Sequence, residues 1–420
     1  MDLAWLEVID RMRIEEAIRL RRISSRLDAL VTKSLRSRKH LDIETECPSL
    51  VKNPTAIASV IAQCSHNLQS LDLKIRPENS KYETLPSHVE IRRRVMMAIN
   101  ENARKLKKLH INRCCLSAGA IGSFGDLPES IEEISITNSL IDCTEWDVAT
   151  IIRKAFEVLF QKCRRLRVFE ISGRSLNSSH FHVDPTILRF MSDTVEHLVI
   201  AVGNSLRINN LSFLKGKKLK TLILQRSFIS SSDLEHVLAM SDTVTHLDLS
   251  YSPNLADCED IAKLKNLKRL ALTNNRDSVH DKSLSVIIQE CSHLEELCLD
   301  QCSFLTSLSL LSLGSLQNLR KLTLSGVGNV DDSVCEQIAR CTRLTFLDIN
   351  FCRKVDRRGL KAILTCLTAL EHLEVLGIRA YSHRLIAKRS ASSLKTVVCD
   401  TPLETFSFTL PPIPPSLVTA

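Results

Sequence analysis

Residues 342–370 read TRLTFLDINFCRKVDRRGLKAILTCLTAL, and four of them set a phrase: Leu344, Leu347, Ile349 and Cys352, as L-x-x-L-x-L-x-x-C. Leu347 and Ile349, two apart, put their side chains on one face of a short strand. Leu360, Ile363, Leu364 and Cys366 then recur at the spacing of a helix stripe, and Leu370 opens the phrase again. One strand, one turn and one return helix thus fill about two dozen residues.

Outward from that stretch the phrase recurs. It stands at Leu319, Leu322 and Leu324, and before that at Leu294, Leu297, Leu299 and Cys302. Further copies start at Leu267, Val244, Leu219 and Val195, and downstream at Leu370 and Leu394. From Val195 to Leu394 the starts lie 24, 25, 23, 27, 25, 25, 26 and 24 residues apart. Such a period is the mark of a leucine-rich-repeat solenoid, with short parallel strands on a concave face and helices on a convex one. Earlier copies begin at Leu68, Leu106, Ile131 and Leu166 with wider gaps, which predicts insertions at 76–88 and 141–155. The chain resembles the cysteine-containing class of these repeats over roughly residues 60–400. Cys114, Cys302 and Cys352 take the ninth position, where a side chain must satisfy backbone groups in the stack. Cys163, Cys291 and Cys341 fall three residues before a repeat's first apolar position, where a small side chain closes the return helix.

Composition bounds the function. The 420 residues exceed one ordinary globular core. No apolar run reaches the roughly 20 residues of a membrane span, and Met1–Asp10 is followed by charge instead of a secretory apolar core. The net charge of +8 is spread along the chain, and the densest basic stretch, 11–39, lacks interleaved Phe or Tyr, which argues against nucleic acid. Fifteen cysteines occur at irregular gaps with no C-x-x-C, which favours buried reduced thiols over zinc or disulfides and a cytoplasmic or nuclear setting. There is no phosphate-binding glycine loop, H-E-x-x-H or nucleophile elbow, so no catalytic residue, metal or cofactor is assigned.

The first forty residues carry a second pattern. Val8, Ile9 and Met12 form an apolar helix face, and AIRLRRISSRLDALV, residues 17–31, predicts one basic amphipathic helix with Leu20, Ile23, Leu27, Leu30 and Val31 on its stripe. The stretch resembles the F-box motif D-L-L-x-L-x-x-V-S-R-x-W-x-x-L. Glu16 stands for the acid, Ala17, Ile18 and Leu20 for the leucines, Ile23-Ser24 for Val-Ser, Arg26 for a basic residue and Leu30 for the last leucine. The motif's opening Leu-Pro is absent, and Leu27 replaces its tryptophan. Leu41–Ile43 is similar to the strand that leads from an F-box into its repeats.

The expected organisation is therefore an F-box-like all-α segment at 1–45, a repeat solenoid at 46–402 (irregular to 194, regular from 195) and a Pro-rich tail at 403–420. By resemblance, Leu6, Ile9, Ile18, Leu20, Ile23, Leu27 and Leu30 would hold the small adaptor subunit of an SCF ubiquitin ligase, and cullin through it. On the concave face, Arg226, Asp248, Tyr251, Asp300, Phe346, Asp348 and Phe351 are the expected contacts for a target protein, because aromatic and arginine anchors dominate such interfaces. His110, His197, His246 and His372, on strands, read as contacts rather than catalysts. The alternative is a non-ligase interaction scaffold whose N-terminal helices only cap the solenoid.

Overall fold

In the computed structural model the described residues are 2–51, 53–74, 89–91, 93–141, 148–175, 185–202, 210–252, 255, 258–379 and 394–399. The expected insertion at 76–88 and the tail at 403–420 lie outside them. The chain divides into two compact units, Met1–Arg207 with Gly216–Lys218, and Ile208–Lys215 with Leu219–Ala420.

The N-terminal unit opens with helices Asp2–Arg11, Ile14–Leu20 and Ser25–Ser37. The stretch 17–31 is thus two helices instead of the single one expected. Ser24 is extended (φ −160°), and its hydroxyl accepts a hydrogen bond from the Leu27 amide at 3.2 Å, so it caps a new helix. Arg21 braces the turn by pairing with Asp28 and donating to Gln63 Oε1 at 2.6 Å. Ile9, Ile14, Ala17, Val31 and Leu35 form the buried centre of this small bundle. Glu46 ties the bundle to the chain beyond it, accepting from the Ile14 amide at 3.0 Å and pairing with Arg38 at 3.3 Å.

Strand His40–Asp42 comes next, inside the segment that resembles the F-box, and pairs in parallel with Ser70–Lys74. Strands Lys108–Asn112, Glu133–Ile141, Val168–Ser175 and His197–Val202 extend the ladder, always parallel. Leu41, Leu71, Leu109, Ile134, Phe169 and Leu198 align in one inward row and are all buried. Residues 148–155, expected as part of an insertion, instead form the first half of the return helix Val148–Lys162. Its Phe156 and Phe160 rings meet Phe169 edge-on, with centroids 5.4 and 5.0 Å away.

The second unit repeats with more regularity. Strands Thr221–Leu224, His246–Asp248, Arg269–Ala271, Glu296–Cys298, Lys321–Thr323, Phe346–Asp348, His372–Glu374 and Thr396–Val398 pair in parallel without a shift. Leu222, Leu247, Leu270, Leu297, Leu322, Leu347 and Leu373 form its inward row, and burying each contributes roughly 1.5–3 kcal/mol. Helices Ser231–Leu238, Asp281–Glu290, Asp332–Ile338 and Arg357–Cys366 supply return segments. Asp331 caps the third by accepting from Val334 N at 3.0 Å. Asp281 reaches across to the following repeat, where Thr306 N and Ser309 Oγ donate to it at 2.8 and 2.5 Å.

The ninth positions behave as the chemistry requires. Cys302 and Cys352 are fully buried, each Sγ 3.2 Å from the carbonyl of the preceding repeat's Leu272 or Leu324. In the N-terminal unit Cys114 Sγ meets Leu73 O at 3.4 Å. Asn275 fills the same place with two strong bonds, accepting from Ser252 N at 2.6 Å and donating to Leu249 O at 2.9 Å. Cys163, Cys291 and Cys341 also point at preceding-repeat carbonyls, 3.6, 3.7 and 3.3 Å away. Burial raises all three of these thiols to about 11, and Cys302 and Cys352 to about 12, far from a reactive thiolate.

Candidate protein-binding surfaces

Each repeat of the second unit presents its outward residues in rows, because side chains alternate across a strand and the register does not slip. The first row runs Thr221, His246, Arg269, Glu296, Lys321, Phe346 and His372, and the next runs Ile223, Asp248, Ala271, Cys298, Thr323, Asp348 and Glu374. A third row sits just past the strands and has an unusual backbone. Arg226, Tyr251, Asn274, Gln301 and Phe351 take φ between 56° and 60°, and Gly326 and Gly377 stand in line with them at 72° and 65°. A non-glycine residue there costs about 1–2 kcal/mol. What holds the conformation is a hydrogen bond that the backbone amide donates into the next repeat: Arg226 N to Ser250 O at 2.9 Å, Tyr251 N to Thr273 O at 2.8 Å, Phe351 N to Leu376 O at 2.6 Å.

All seven expected target contacts lie on this outer face. Arg226 stacks over the Tyr251 ring, 4.6 Å from its centroid. Lys321 sits 5.2 Å above Phe346, and His372 lies against the other side of that ring at 6.0 Å. Phe351 is 52% exposed and leans over Gly377, where an added Cβ would lie 2.7 Å from its Cδ1. The acids are built into the face. Asp248 accepts from Gln225 Nε2 (2.7 Å) and Ser250 N (2.9 Å), and Asp300 from Thr323 Oγ1 and Ser325 N (both 2.8 Å). Burial raises both carboxyls above the ordinary range. Burial, with Glu374 and Asp300 close by, pushes Asp348 up to about 7. The surface combines aromatic anchors with carboxylates poorly served by water, which suits a protein partner.

The expected adaptor contacts divide. Ile9 is fully buried and holds the helices together, so the structure removes it from any contact surface. Leu6, Ile18, Leu20, Leu27 and Leu30 are half-buried. Ile23 stands 67% exposed in the turn that breaks the expected helix. Leu3, Trp5 and Val8 are also 80%, 45% and 52% exposed; none was among the expected contacts, and Val8 leaves the apolar face expected for it with Ile9 and Met12. Their signal in the sequence is an apolar content that exceeds what one buried face needs. Of the strand histidines, His110 is a structural rung: its Nδ1 lies 2.8 Å from Asp72 and its Nε2 3.1 Å from Glu133, one strand on each side. Its bond to Asp72 raises the imidazole above its usual value.

No family model matches the chain, and no curated protein matches it. Among solved structures it is similar to yeast Rad7, crystallised in complex with Elc1, at 16% identity over 82% of this chain and 77% of that one, with a TM-score of 0.53. It is also similar to a leucine-rich-repeat protein of Leptospira interrogans (16% identity, 86% and 99% covered, TM-score 0.44). A further similar structure is an internalin of Listeria monocytogenes (16%, 73% and 85%, 0.43). The fold is that of leucine-rich repeats.

That fold places the phrase of 342–370 in its physical setting: inward leucines in a row, outward residues on the opposite face of the sheet. Among the described residues no helix is long and apolar enough to cross a membrane, and no group of three His, Cys, Asp or Glu is placed to hold a metal ion. The outer face of 221–377, with Phe346 and Phe351 on it, is the surface of the second unit best suited to a protein partner.

Proposed function

We propose that the chain is the substrate-recognition subunit of an SCF-type cullin–RING ubiquitin ligase. Its N-terminal helices hold the small adaptor subunit, and the outer face of 221–377 selects the protein to be ubiquitinated for degradation. The observation that carries this reading is the set of apolar side chains Leu3, Trp5, Val8 and Ile23 left exposed on a small helical bundle that leads straight into a repeat sheet. Four large apolar side chains left in solvent within the first 23 residues are more than a solvated cap requires, and a covering partner would account for them. Rad7, a repeat protein of similar fold, was crystallised with a partner, Elc1, which is consistent with a repeat chain working inside an assembly. The chain is a receptor without chemistry of its own, and ubiquitin transfer belongs to other subunits in a cytoplasmic or nuclear ligase.

Pull-down of the full chain with purified adaptor tests it. Wild type is expected to bind, and the double variant Leu3→Asp, Ile23→Asp to lose binding at least tenfold with unchanged thermal unfolding, because both side chains already face solvent. No capture by wild type rejects the ligase reading and leaves the helices as a cap for the first strand.

A further inference from the structure

The residues just ahead of the strands carry a regular device. A basic residue in this row pairs with the acid of the neighbouring repeat: Lys107 with Glu132 at 2.9 Å, Arg167 with Glu196 at 2.6 Å, Lys268 with Glu295 at 3.3 Å, and Lys395 with Glu371 at 3.0 Å. Arg320 breaks it. Backbone bonds place it between Glu295, which Lys268 already holds, and Thr345, which is uncharged. Among the described residues the Arg320 guanidinium makes no hydrogen bond or ion pair.

The adjoining row adds to the imbalance. Arg343 donates from Nη1 to the neutral Asn318 Oδ1 at 2.9 Å, and Asn318 is itself anchored by donating from Nδ2 to Ser292 O at 3.1 Å. Arg343 is thus positioned without being neutralised. His293 stands beside them. Lys268, His293, Glu295, Asn318, Arg320 and Arg343 line one half-open cavity of about 180 Å³. Three fixed cations there face one carboxylate, so the cavity carries a surplus of two positive charges.

We propose that this cavity binds a phosphoryl oxyanion. Two guanidiniums offer planar N–H pairs that match tetrahedral oxyanions, and the surplus charge matches the −1.5 to −2 that a phosphoryl group carries near pH 7. A lone carboxylate, singly charged, would leave the surplus half compensated. A merely solvated face does not account for the pattern, because the same edge of the second unit neutralises its cations at Lys268 and Lys395 and leaves Arg320 open between them.

Calorimetric titration of the full chain at constant ionic strength tests this, with inorganic phosphate, a short phosphoserine peptide and the same peptide unphosphorylated as probes. Saturable binding of phosphate and phosphopeptide is expected, with a loss of tenfold or more in Arg320→Gln, Arg343→Gln. Lys395→Gln, which removes a paired cation from the same edge, should bind as wild type does, and Arg320→Lys should recover part of the affinity. A phosphopeptide at least tenfold tighter than phosphate assigns the site to a modified protein partner, and equal affinities assign it to the free anion. Binding of the unphosphorylated peptide with equal strength, or affinity unchanged by removing both arginines, overturns the proposal.

Discussion

Residues 221–398 make each turn of chain from a strand of three or four residues, whereas strands of the N-terminal unit run to eight in Val168–Ser175 and nine in Glu133–Ile141. The short strands hold register from end to end. The long pair shifts register between Ile136 and Ser139, where Asn138 takes φ 49°. There Gly173 is required, because a Cβ would lie 2.0 Å from Ser139 O. The cores differ too. Both units carry an inward apolar row, but Asn275, Cys302 and Cys352 back it in the second, whereas a cluster of Phe124, Phe156, Phe160 and Phe169 backs it in the first. Constant spacing lets a small polar residue satisfy the stack in several repeats, as Ser252, Asn275, Cys302 and Cys352 do. Where spacing varies, larger side chains and a bulge take up the slack.

The aromatic cluster gives the largest expected effect. Phe156 contacts three other rings, and Phe156→Ala should cost about 3–5 kcal/mol. Hydrogen exchange should show protection lost over 93–171 and kept in strands 246–374. Equal loss in both would show that the two units do not differ in what holds them. Next comes the ladder. Asn275→Ala orphans Ser252 N and Leu249 O and should cost about 2–3 kcal/mol in urea unfolding. Cys302→Ala, losing one weak thiol contact, should cost about 1 kcal/mol. Equal costs would mean that the ninth position matters only for volume.

The smallest effect lies on the outer face. Asp348, with a carboxyl near 7 when folded against about 3.9 unfolded, binds more protons in the native state between those values. Its contribution to stability is therefore fully present below pH 4 and lost as pH rises through 7. Asp348→Asn should flatten that part of the profile and stabilise the protein by on the order of 1 kcal/mol at pH 8, after solvent screening. Identical urea midpoints for variant and wild type at pH 8, with the same drop from pH 5, would show that the face does not strain this carboxylate.

Leu344, Leu347, Ile349 and Cys352 made the repeat legible, since a period fixed by backbone geometry leaves its mark on every copy. The outward residues were legible with it, because alternation along a strand needs no tertiary information. The break in 17–31 was less visible. Its stripe runs unbroken through Ile23, and only the cap at Ser24 with the anchoring of Arg21 to Gln63, 42 residues away, stops the helix. Helix 148–162 was hidden by an uneven gap in the repeat, not by a want of apolar residues.

The sequence by itself determined the repeat, its inward rows and the places of its cysteines, because these depend on short-range spacing. Only the tertiary structure decided that Ile9 is core while Leu3, Trp5 and Val8 face solvent, that His110 is a rung between two acids, and that among the described residues Arg320 lacks the partner its row usually has. Each of those depends on which residue of another turn, some 25 to 40 positions away, stands within a few ångströms, and side-chain spacing along one chain does not encode that distance.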